Sequence, residues 1–535
     1  MAEDRDQSER VVLPRLMLRA CRRALWRTKV FDSMGAKLSG GALLTRMLVA
    51  RRLLECQVLA AEEHKVGLLL PPSAGAVIVN AALTIAGRVP VNLNYTLSSE
   101  VMNYCIREAG IRHVLTSRRV MQKLNLEVDA ELVYLEDFAS RVSKLDKLRA
   151  ALAAYACPVW LLERRLGLTR IKPDDLMTII FTSGSTGEPK GVMLSFDNVG
   201  SNVTAIGELV RLNAQDVLLG ILPLFHSFGY TTTLWTVLTL DPAGAYHFSP
   251  LDGQIVAKLA RDCRATIIIA TPTFLRTYLK RADKADFAHL DVAVAGAEKL
   301  PKELCDAFEQ KFGVRPVEGY GATELSPLVA VNIPPSRKLP GPQVTLKEGT
   351  VGRPIPRVEA RVTDLDTGEV LPAGKPGMLW IRGPNVMQGY LHHPGKTAKV
   401  VVDGWYMTGD VAFLDTDGFI TITGRESRFS KIGGEMVPHL KIEEALQRIL
   451  SANEDELKAV VTAVPDSRRG ERLVVVHTRL DRPADEVVRA LQAAGLPNLW
   501  VPSADSFLEV AELPLLGTGK LDLRALKNLA LEHFG

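Results

Sequence analysis

A loop rich in glycine and hydroxyl side chains is the first candidate for phosphate chemistry. Residues 181–192, FTSGSTGEPKGV, follow an apolar run and carry one lysine, Lys190. Because glycine lets backbone N–H groups approach a ligand closely, such a loop can hold phosphate oxygens, and the lysine adds a cation. The P-loop pattern of nucleotide hydrolases does not fit, since it needs the lysine directly after its second glycine. Taken alone, the loop is also consistent with an ordinary turn.

Seven further motifs follow this loop along the chain. They are LPLFHSFGY (222–230), VAGAEKLP (294–301), VEGYGATELSP (317–327), WIRGPNVMQGYL (380–391), GWYMTGD (404–410), GRESRFSKIGGEMVP (424–438) and LPLLGTGKLD (513–522). With these motifs the chain resembles the adenylate-forming superfamily of acyl-CoA ligases, peptide-synthetase adenylation domains and beetle luciferases, over nearly its whole length. The resemblance implies that a carboxylate attacks the α-phosphate of ATP and expels pyrophosphate, with Mg²⁺ as the cofactor.

The resemblance also implies which residues bind the nucleotide. Tyr320 would stack on adenine beside the 296–298 turn, and Asp410 would accept both ribose hydroxyls, although an Asx turn is its alternative role. Glu324 would ligate Mg²⁺, a hard ion suited to carboxylate and phosphate oxygens. Arg425 would reach the ribose or a phosphate, the alternative being a surface salt bridge. The implied ATP-binding set is Thr182, Ser183, Gly184, Ser185, Thr186, Gly187, Lys190, Gly296, Ala297, Glu298, Tyr320, Gly321, Thr323, Asp410 and Arg425.

Catalysis is implied to rest on Lys520, His226, Thr186 and Glu324. Both reactants are negatively charged, so positioning and charge neutralisation must do most of the work. The ammonium of Lys520 would bridge the attacking carboxylate and the α-phosphate, although most lysines are simply solvated on a surface. His226 would line the carboxylate pocket, whereas a histidine on an apolar segment is otherwise typical of a core position.

Two domains are expected, because 535 residues exceed the size of a single core. We expect a large N-terminal domain, residues 1–424, and a small C-terminal domain, residues 425–535, that carries Lys520. The resemblance implies that the small domain rotates between adenylate formation and transfer to a thiol. The family's hinge residue is aspartate or lysine, whereas this chain has Ser427 there. We interpret this serine as altered hinge energetics; a catalytically silent regulatory protein is the alternative.

The substrate hypothesis comes from the stretches RFSKIGGEMVPHLKIEEAL, EGYGATELSPLVAVN and PLLGTGKLDL. They are most similar to the long-chain acyl-acyl-carrier-protein synthetase branch. This implies a long-chain fatty acid as substrate and the phosphopantetheine thiol of acyl carrier protein as acceptor, with CoA as the alternative acceptor. A nucleotide-binding protein that cleaves ATP to ADP is a rival of another class. Apolar side chains near His226 suit either an acyl tunnel or the core: Phe225, Phe228, Leu234 and Trp235.

The elements that must position these residues follow from hydrophobic periodicity. Between about residues 65 and 300, the candidate strands VGLLL, HVLTS, MTIIF, TIIIAT and VAVAG alternate with helical patterns. This alternation predicts an α/β fold with two subdomains built on parallel sheets. After Pro334 the runs VEARVTD, GMLWIRG and GFITITG predict a small antiparallel β-barrel or sheet. Beyond Gly424, helices and strands predict a small mobile α+β domain.

Composition excludes several classes of protein. The net charge of +4 is small for this length, so nucleic acid is a poor default partner. The six cysteines are scattered without a CxxC pair, which favours a reducing compartment over a disulfide framework or zinc site. The charged N-terminus lacks an apolar signal core, so we expect a cytoplasmic location. Proline and polar residues interrupt the apolar stretches 66–87 and 218–240, which predicts buried strands and helices rather than membrane spans.

The N-terminal segment LPRLMLRACRRALWRTK (13–29) has the period of an amphipathic helix. Its apolar stripe is Leu13, Leu16, Met17, Ala20, Cys21, Ala24 and Leu25, and its basic side is Arg15, Arg19, Arg22, Arg23 and Arg27. Two hypotheses fit this pattern. The helix docks its stripe on the main domain, which we favour, or it lies on an anionic lipid surface and makes the protein peripheral at the inner face of a membrane.

Overall fold

The computed structural model describes residues 10–124, 126–182, 188–338, 344–425, 428–432, 435–450, 457–466, 468–514 and 521–535. Its α-helices are α1 (Leu13–Arg23), α2 (Gly40–Gln57), α3 (Ala74–Ile85), α4 (Ser99–Ala109), α5 (Arg118–Lys123), α6 (Leu135–Arg141), α7 (Lys144–Tyr155), α8 (Val159–Arg165), α9 (Phe196–Val210), α10 (Ser227–Gly229), α11 (Thr236–Thr239), α12 (Gly253–Cys263), α13 (Pro272–Arg281), α14 (Lys302–Phe312), α15 (Pro394–Val400), α16 (His439–Leu450), α17 (Ala484–Ala493) and α18 (Leu523–Phe534).

The β-strands of the same residues follow in chain order. They are β1 (Thr28–Asp32), β2 (Lys37–Ser39), β3 (Lys65–Leu68), β4 (Val89–Asn92), β5 (His113–Thr116), β6 (Glu131–Tyr134), β7 (Leu176–Thr182), β8 (Lys190–Ser195), β9 (Val217–Gly220), β10 (Ala243–Tyr246), β11 (Ile267–Ala270), β12 (Val292–Ala295), β13 (Val317–Gly321), β14 (Leu328–Val331), β15 (Arg353–Pro354), β16 (Glu359–Thr363), β17 (Gly377–Arg382), β18 (Gly389–Tyr390), β19 (Val401–Val402), β20 (Trp405–Leu414), β21 (Ile420–Arg425), β22 (Phe429–Ile432), β23 (Glu435–Pro438), β24 (Ala459–Asp466), β25 (Gly470–His477) and β26 (Phe507–Glu509).

Two sheets of the large N-terminal part are built on parallel strands. One has nine strands in the order β15-β14-β13-β12-β11-β9-β10-β1-β2, and its strands from β13 to β1 in this order run parallel. The other has the order β4-β3-β5-β6 and is wholly parallel. Every residue of β9 and β11 is buried, as expected for apolar strands covered on both faces. The predicted pair of parallel α/β subdomains is therefore confirmed.

The strand predicted from MTIIF is real, but its pairing differs from the parallel arrangement that we expected. β7 pairs antiparallel with β8, which pairs antiparallel with the short β18, so these strands form a separate sheet. The physical reason is the short link between the two strands, residues 183–189. A parallel neighbour would need a crossover of a dozen or more residues, whereas a short link suits a hairpin.

The later part of the chain follows the predicted antiparallel pattern. β16, β17, β20, β19 and β21 form a five-stranded antiparallel sheet. The small C-terminal domain has a sheet in the order β23-β22-β25-β24, with β26 added beside β25 and with α16, α17 and α18. Among the described residues, Lys299 pairs with Glu444 and Lys431 with Asp366 between this domain and the rest. The exact boundary between the two domains stays a prediction.

The N-terminal helix α1 docks on the large domain. Leu13, Met17 and Cys21 are fully buried in its main core. The arginines on the other side bind protein groups as well. Nε of Arg15 and Nε of Arg19 each donate to the Glu163 carboxylate at 3.0 Å. Arg22 donates to the carbonyls of Ala154 and Cys157, and Arg23 pairs with Asp241. The structure therefore favours docking over a lipid contact for this helix.

The link between α1 and α8 leads to a stability prediction. Replacing Glu163 by alanine is expected to lower the free energy of unfolding by about 1–2 kcal/mol, because two charge-assisted hydrogen bonds are lost while the half-exposed Arg15 and Arg19 regain water. Urea unfolding of the full chain measures the change. The matched control is Glu62→Ala, which removes an exposed turn carboxylate and should change stability by less than about 0.5 kcal/mol. Equal effects would contradict the role assigned to Glu163.

The two long apolar stretches form the predicted mixture of short elements. Residues 66–87 supply β3 and the buried α3, and residues 218–240 supply β9, α10, a π-helical turn at Tyr230–Trp235 and α11. Within the residues that the structure describes, no helix is both long and apolar enough to cross a bilayer.

Candidate active site

The candidate site lies where parallel strands of the large sheet end. β9, β11, β12 and β13 run in the same direction, so their carboxyl ends meet at one edge. The turn at 296–298 follows β12, Thr323 and Glu324 follow β13, and the segment to His226 follows β9. Ligands of open α/β sheets bind outside the carboxyl ends of the strands. The topology thus brings together motifs that lie up to about a hundred residues apart.

A carboxylate and an ammonium group contact the same tyrosine at this edge. The hydroxyl of Tyr390 donates to Oε1 of Glu324 at 2.8 Å, and Nζ of Lys190 lies 5.0 Å from the centre of the Tyr390 ring. Burial and the charge of Glu324 raise the pKa of Tyr390, so its hydroxyl stays protonated and donates. The backbone N–H of Met387 donates to the Glu324 carbonyl at 2.8 Å, which fixes the backbone beneath the carboxylate.

A second carboxylate lies deeper, between a tyrosine and an arginine. Asp410 is 4% exposed and accepts hydrogen bonds from the Tyr320 hydroxyl at 2.5 Å and from Nε of Arg425 at 3.0 Å. Burial raises the pKa of Asp410, and the positive charge of Arg425 opposes that shift. Burial and the Asp410 charge hold the pKa of Tyr320 well above its usual value. Tyr320 is therefore a neutral donor that positions the aspartate.

His226 lies on the surface and not in the core. It precedes the short helix α10, and its ring contacts that of Phe225. The neighbouring Ser227 donates from its hydroxyl to Oγ1 of Thr323 at 3.2 Å. Through this bond the segment that carries His226 is joined to the turn that carries Glu324, as a shared site requires.

In the 296–298 turn, Glu298 has a contact that the sequence did not indicate, and its role at the nucleotide stays a prediction. Glu298 accepts hydrogen bonds at Oε2 from the hydroxyl and the backbone N–H of Thr273, in the first turn of α13, so its carboxylate is occupied in capping that helix. Gly296 packs near Phe228, and a Cβ atom there would lie 3.1 Å from the ring. Ala297 has a φ of +68°, which bends the chain sharply beside the sheet edge.

Position 321 requires a glycine because backbone atoms leave no room for a side chain there. A Cβ atom at this position would lie 2.0 Å from the carbonyl oxygen of Pro327, which accepts a hydrogen bond from the N–H of Ala322. No shift of a flexible side chain can relieve a clash with backbone. The glycine thus allows the tight turn that presents Thr323 and Glu324.

Part of the expected site lies outside the described residues: Ser183, Gly184, Ser185, Thr186, Gly187, Ser427 and Lys520. Both ends of the first of these segments are described. Thr182 and Lys190 are partners in the β7–β8 ladder, where the chain enters and leaves the loop. Of these two residues, Lys190 lies over the ring of Tyr390, which contacts Glu324.

Three contributors were missed from the sequence. Tyr390 stands in the motif WIRGPNVMQGYL, which signalled the segment but not the residue. Ser227 lies beside His226, and Thr408 accepts a hydrogen bond from the N–H of Asp410 at 3.0 Å. The role of Tyr390 could not be predicted from the residues around it, since its partner Glu324 lies 66 positions away.

The apolar side chains that were considered for an acyl tunnel divide into two groups. Leu234 and Trp235 are fully buried in the main core. Phe225 instead meets the edge of Tyr95 at 4.8 Å between ring centres, and Phe228 lies against Gly296 at the site. The core interpretation therefore holds for Leu234 and Trp235, and the acyl-tunnel hypothesis retains Phe225 and Phe228.

The described residues fit Mg²⁺ only when it is bound together with a nucleotide. No group of three or more histidine, cysteine, aspartate or glutamate side chains is gathered as a metal site within them. Glu324 offers one carboxylate, and Tyr390 is the one described donor to it. Mg²⁺ bound with substrate phosphates commonly takes one or two carboxylates and keeps several waters. Glu324 fits that donor set.

Comparisons with known proteins agree with this geometry. The family model described as AMP-binding enzyme matches residues 20–391. A long-chain-fatty-acid–CoA ligase of Bacillus subtilis is 28% identical over 532 residues, covering 93% of this chain and 91% of that protein. The ATP-bound crystal structure of MatB from Rhodopseudomonas palustris superimposes with a TM-score of 0.77 at 25% identity, covering 98% of this chain and 100% of that chain.

A more distant structure shares the same fold. MenE of Bacillus subtilis, an o-succinylbenzoate coenzyme A synthetase solved with ATP and a magnesium ion, gives a TM-score of 0.77 at 20% identity, covering 96% of this chain and 99% of that chain. The two chains thus share one fold. Because the family model spans well over half of the chain, the protein belongs to the AMP-binding enzymes and is an AMP-forming ligase of the acyl-CoA ligase family.

Proposed function

We propose that the protein joins a long-chain fatty acid to the thiol of CoA in two steps. In the first, a carboxylate oxygen of the acid attacks the α-phosphorus of ATP, and the bond to the β-phosphate oxygen breaks to give acyl adenylate and pyrophosphate. In the second, the thiol sulfur attacks the acyl carbon, AMP leaves with the electrons of the acyl C–O bond, and the thiol proton goes to solvent.

One observation carries this proposal. Glu324 and Lys190 both contact Tyr390, and Asp410 with its donor Tyr320 lies at the same sheet edge. A carboxylate beside an ammonium group suits a metal-bound polyphosphate. The carboxylate can bind the metal cation, and the ammonium group can neutralise phosphate oxygens. A buried aspartate beside an aromatic ring suits a nucleoside. The combination supports ATP as the substrate.

The residues would divide the first step among them. Tyr320 and Asp410 would hold the nucleoside, while Lys190 and the hydroxyl groups of residues 182–187 would bind the outer phosphates. Glu324 would hold Mg²⁺, which supplies positive charge at the phosphate oxygens when bound. Lys520 would bring an ammonium group between the carboxylate and the α-phosphate.

The second step and its acceptor are supported by different evidence. We assign residues 1–424 and 425–535 to two domains. The small domain would rotate about Ser427 after the first step, which would let the thiol reach the bound acyl adenylate. For the acceptor, the Bacillus relative is named as a CoA ligase, which supports CoA better than acyl carrier protein. The motif resemblance to the acyl-carrier-protein branch keeps that protein as the second acceptor to test.

The test is a product analysis with purified protein, ATP, Mg²⁺ and fatty acids of graded length, supplied with CoA or with acyl carrier protein in separate reactions. We expect AMP, pyrophosphate and acyl-CoA, identified by mass. Acyl-carrier-protein product without acyl-CoA would overturn the assigned acceptor only. Formation of ADP, or no AMP with any acid, would overturn the adenylation reaction itself.

A further inference from the structure

The outer face of α7 carries large apolar side chains that no part of the described chain covers. Leu145, Leu148 and Leu152 are 51%, 57% and 56% exposed and lie three and four positions apart, on one face of the helix. The opposite face carries Ala150 and Ala154, which are buried against the large domain. The helix is thus apolar on both sides, although only one side faces the protein interior.

Two exposed tryptophans lie beside the C-terminal end of this helix. All six tryptophans lie in the described residues, and of these Trp26 and Trp160 alone are mostly exposed, at 79% and 67%. The Trp26 ring contacts that of Tyr155, the last residue of α7, at 5.0 Å between centres. Trp160 lies in the first turn of α8, three positions after Cys157, whose carbonyl accepts from Arg22 of α1. The apolar face of α7 therefore continues toward Trp26, and Trp160 follows the end of α7 by five positions.

The same part of the chain is strongly basic. Residues 141–170 contain seven lysines and arginines and only two acids, whereas the net charge of the whole chain is +4. Both acids are already paired, Asp146 with Arg52 and Glu163 with two arginines of α1. Among the described residues, no ion pair is found for five of the cations: Lys144, Lys147, Arg149, Arg164 and Arg165.

We propose that this region, the α7 surface, docks the protein on an anionic phospholipid bilayer. We define it as the exposed leucines of α7, Trp26, Trp160 and the five unpaired cations named above. Leucines gain free energy on entering the acyl region, tryptophan favours the level of the headgroups, and lysine and arginine are attracted by anionic lipids. The site differs from α1, whose apolar residues are buried and whose arginines bind protein groups.

Charge decides between a membrane and a second copy of this chain as the occupant. Two α7 surfaces facing each other would bring like charges together, which is unfavourable. An anionic bilayer complements the same charges. The lipid contact does not depend on which acid or thiol the enzyme uses.

The test is flotation of the full-length protein with vesicles of phosphatidylcholine alone or with about a third phosphatidylglycerol, at rising salt. We expect binding to the anionic vesicles that falls with salt, because the attraction is screened within a Debye length. Reversing two cations, Lys144→Glu with Arg149→Glu, should weaken binding by at least about tenfold. Replacing Leu148 and Leu152 by glutamate should abolish it.

Matched controls separate this surface from general changes of charge or hydrophobicity. Lys396→Glu with Lys399→Glu changes the charge equally on the exposed face of α15, and Val370→Glu alters an exposed apolar residue of the antiparallel region. Both control proteins should bind like the wild type. Thermal unfolding of every variant checks that loss of binding does not come from loss of fold.

Tryptophan fluorescence gives an independent readout. Anionic vesicles should shift the emission of the wild type to shorter wavelength, and replacing Trp26 and Trp160 by phenylalanine should remove that shift. The proposal is overturned if the wild type does not float with anionic vesicles, or if the leucine variant floats equally well. A wild-type dimer that becomes monomeric in the leucine variant, without vesicle binding, would assign the surface to a second copy instead.

Discussion

The Lys520→Ala protein is expected to release pyrophosphate in the presence of fatty acid at a rate lower by on the order of 10³-fold, while ATP still binds. The reason is electrostatic, because a carboxylate must approach a phosphate of the same sign and no other cation is expected between them. The ends of the segment that carries Lys520 are held together, since the N–H of Asp522 donates to the carbonyl of Pro514 at 2.9 Å. Pro514 and Asp522, which flank Lys520 in the sequence, therefore lie close together.

The measurement separates the two steps of the reaction. Pyrophosphate release reports adenylate formation, equilibrium dialysis reports ATP binding, and synthetic acyl adenylate offered with CoA reports the transfer. Since the lysine charge is needed while the P–O bond forms, transfer should remain near the wild-type rate. Lys527→Ala, an exposed lysine of α18, is the control. Pyrophosphate release by the Lys520 variant within tenfold of the wild-type rate would contradict the assignment.

Replacing Glu324 by glutamine is expected to reduce adenylate formation by about 10²-fold or more, and added Mg²⁺ should not restore it. The amide keeps the size of the side chain but loses the charge that a hard cation prefers. The backbone contact of residue 324 with Met387 is unaffected, so the fold should be retained. Initial rates over a range of Mg²⁺ concentrations, with thermal unfolding as a check, make the measurement.

The Tyr390→Phe variant is compared with Glu324→Gln, because it weakens the support of the carboxylate without removing the carboxylate itself. The change removes the hydroxyl that donates to Glu324 but leaves the carboxylate and the ring beneath Lys190. Loss of such an outer partner typically weakens metal affinity by about 10–100-fold, so excess Mg²⁺ should restore the rate. If Glu324→Gln showed the wild-type dependence on Mg²⁺, the carboxylate would not be the metal ligand.

The fold was largely predictable because its elements carry local signals. β11 is a short apolar run between turn residues, and α9 begins with a capping box at Ser195 and Asn198. The direction of β7 was not predictable from its composition, since an apolar strand suits either kind of sheet. Its pairing depends on the length of the link to β8 and on where the chain can turn.

The candidate site was predictable at the level of motifs and not of contacts. Glu324, Asp410 and Tyr320 were proposed as site residues because each lies in a short motif with a distinctive order of residues. The hydrogen bond between Tyr320 and Asp410 joins residues 90 positions apart, and no local sequence pattern predicts it. The contact of Glu298 with Thr273 was missed for the same reason, because Thr273 lies 25 positions away in the first turn of α13, outside the motifs.

By itself the sequence determined the order of the phosphate, carboxylate and lysine motifs, and with it the class of reaction, because loop chemistry depends on residues a few positions apart. It also determined that α1 has an apolar face and a basic face. Only the tertiary structure decided that the apolar face of α1 packs in the main core and that its basic face pairs with Glu163. It also decided that the leucines of α7 stay exposed. A pattern of side chains shows which face is apolar, but what covers that face depends on how all the elements pack.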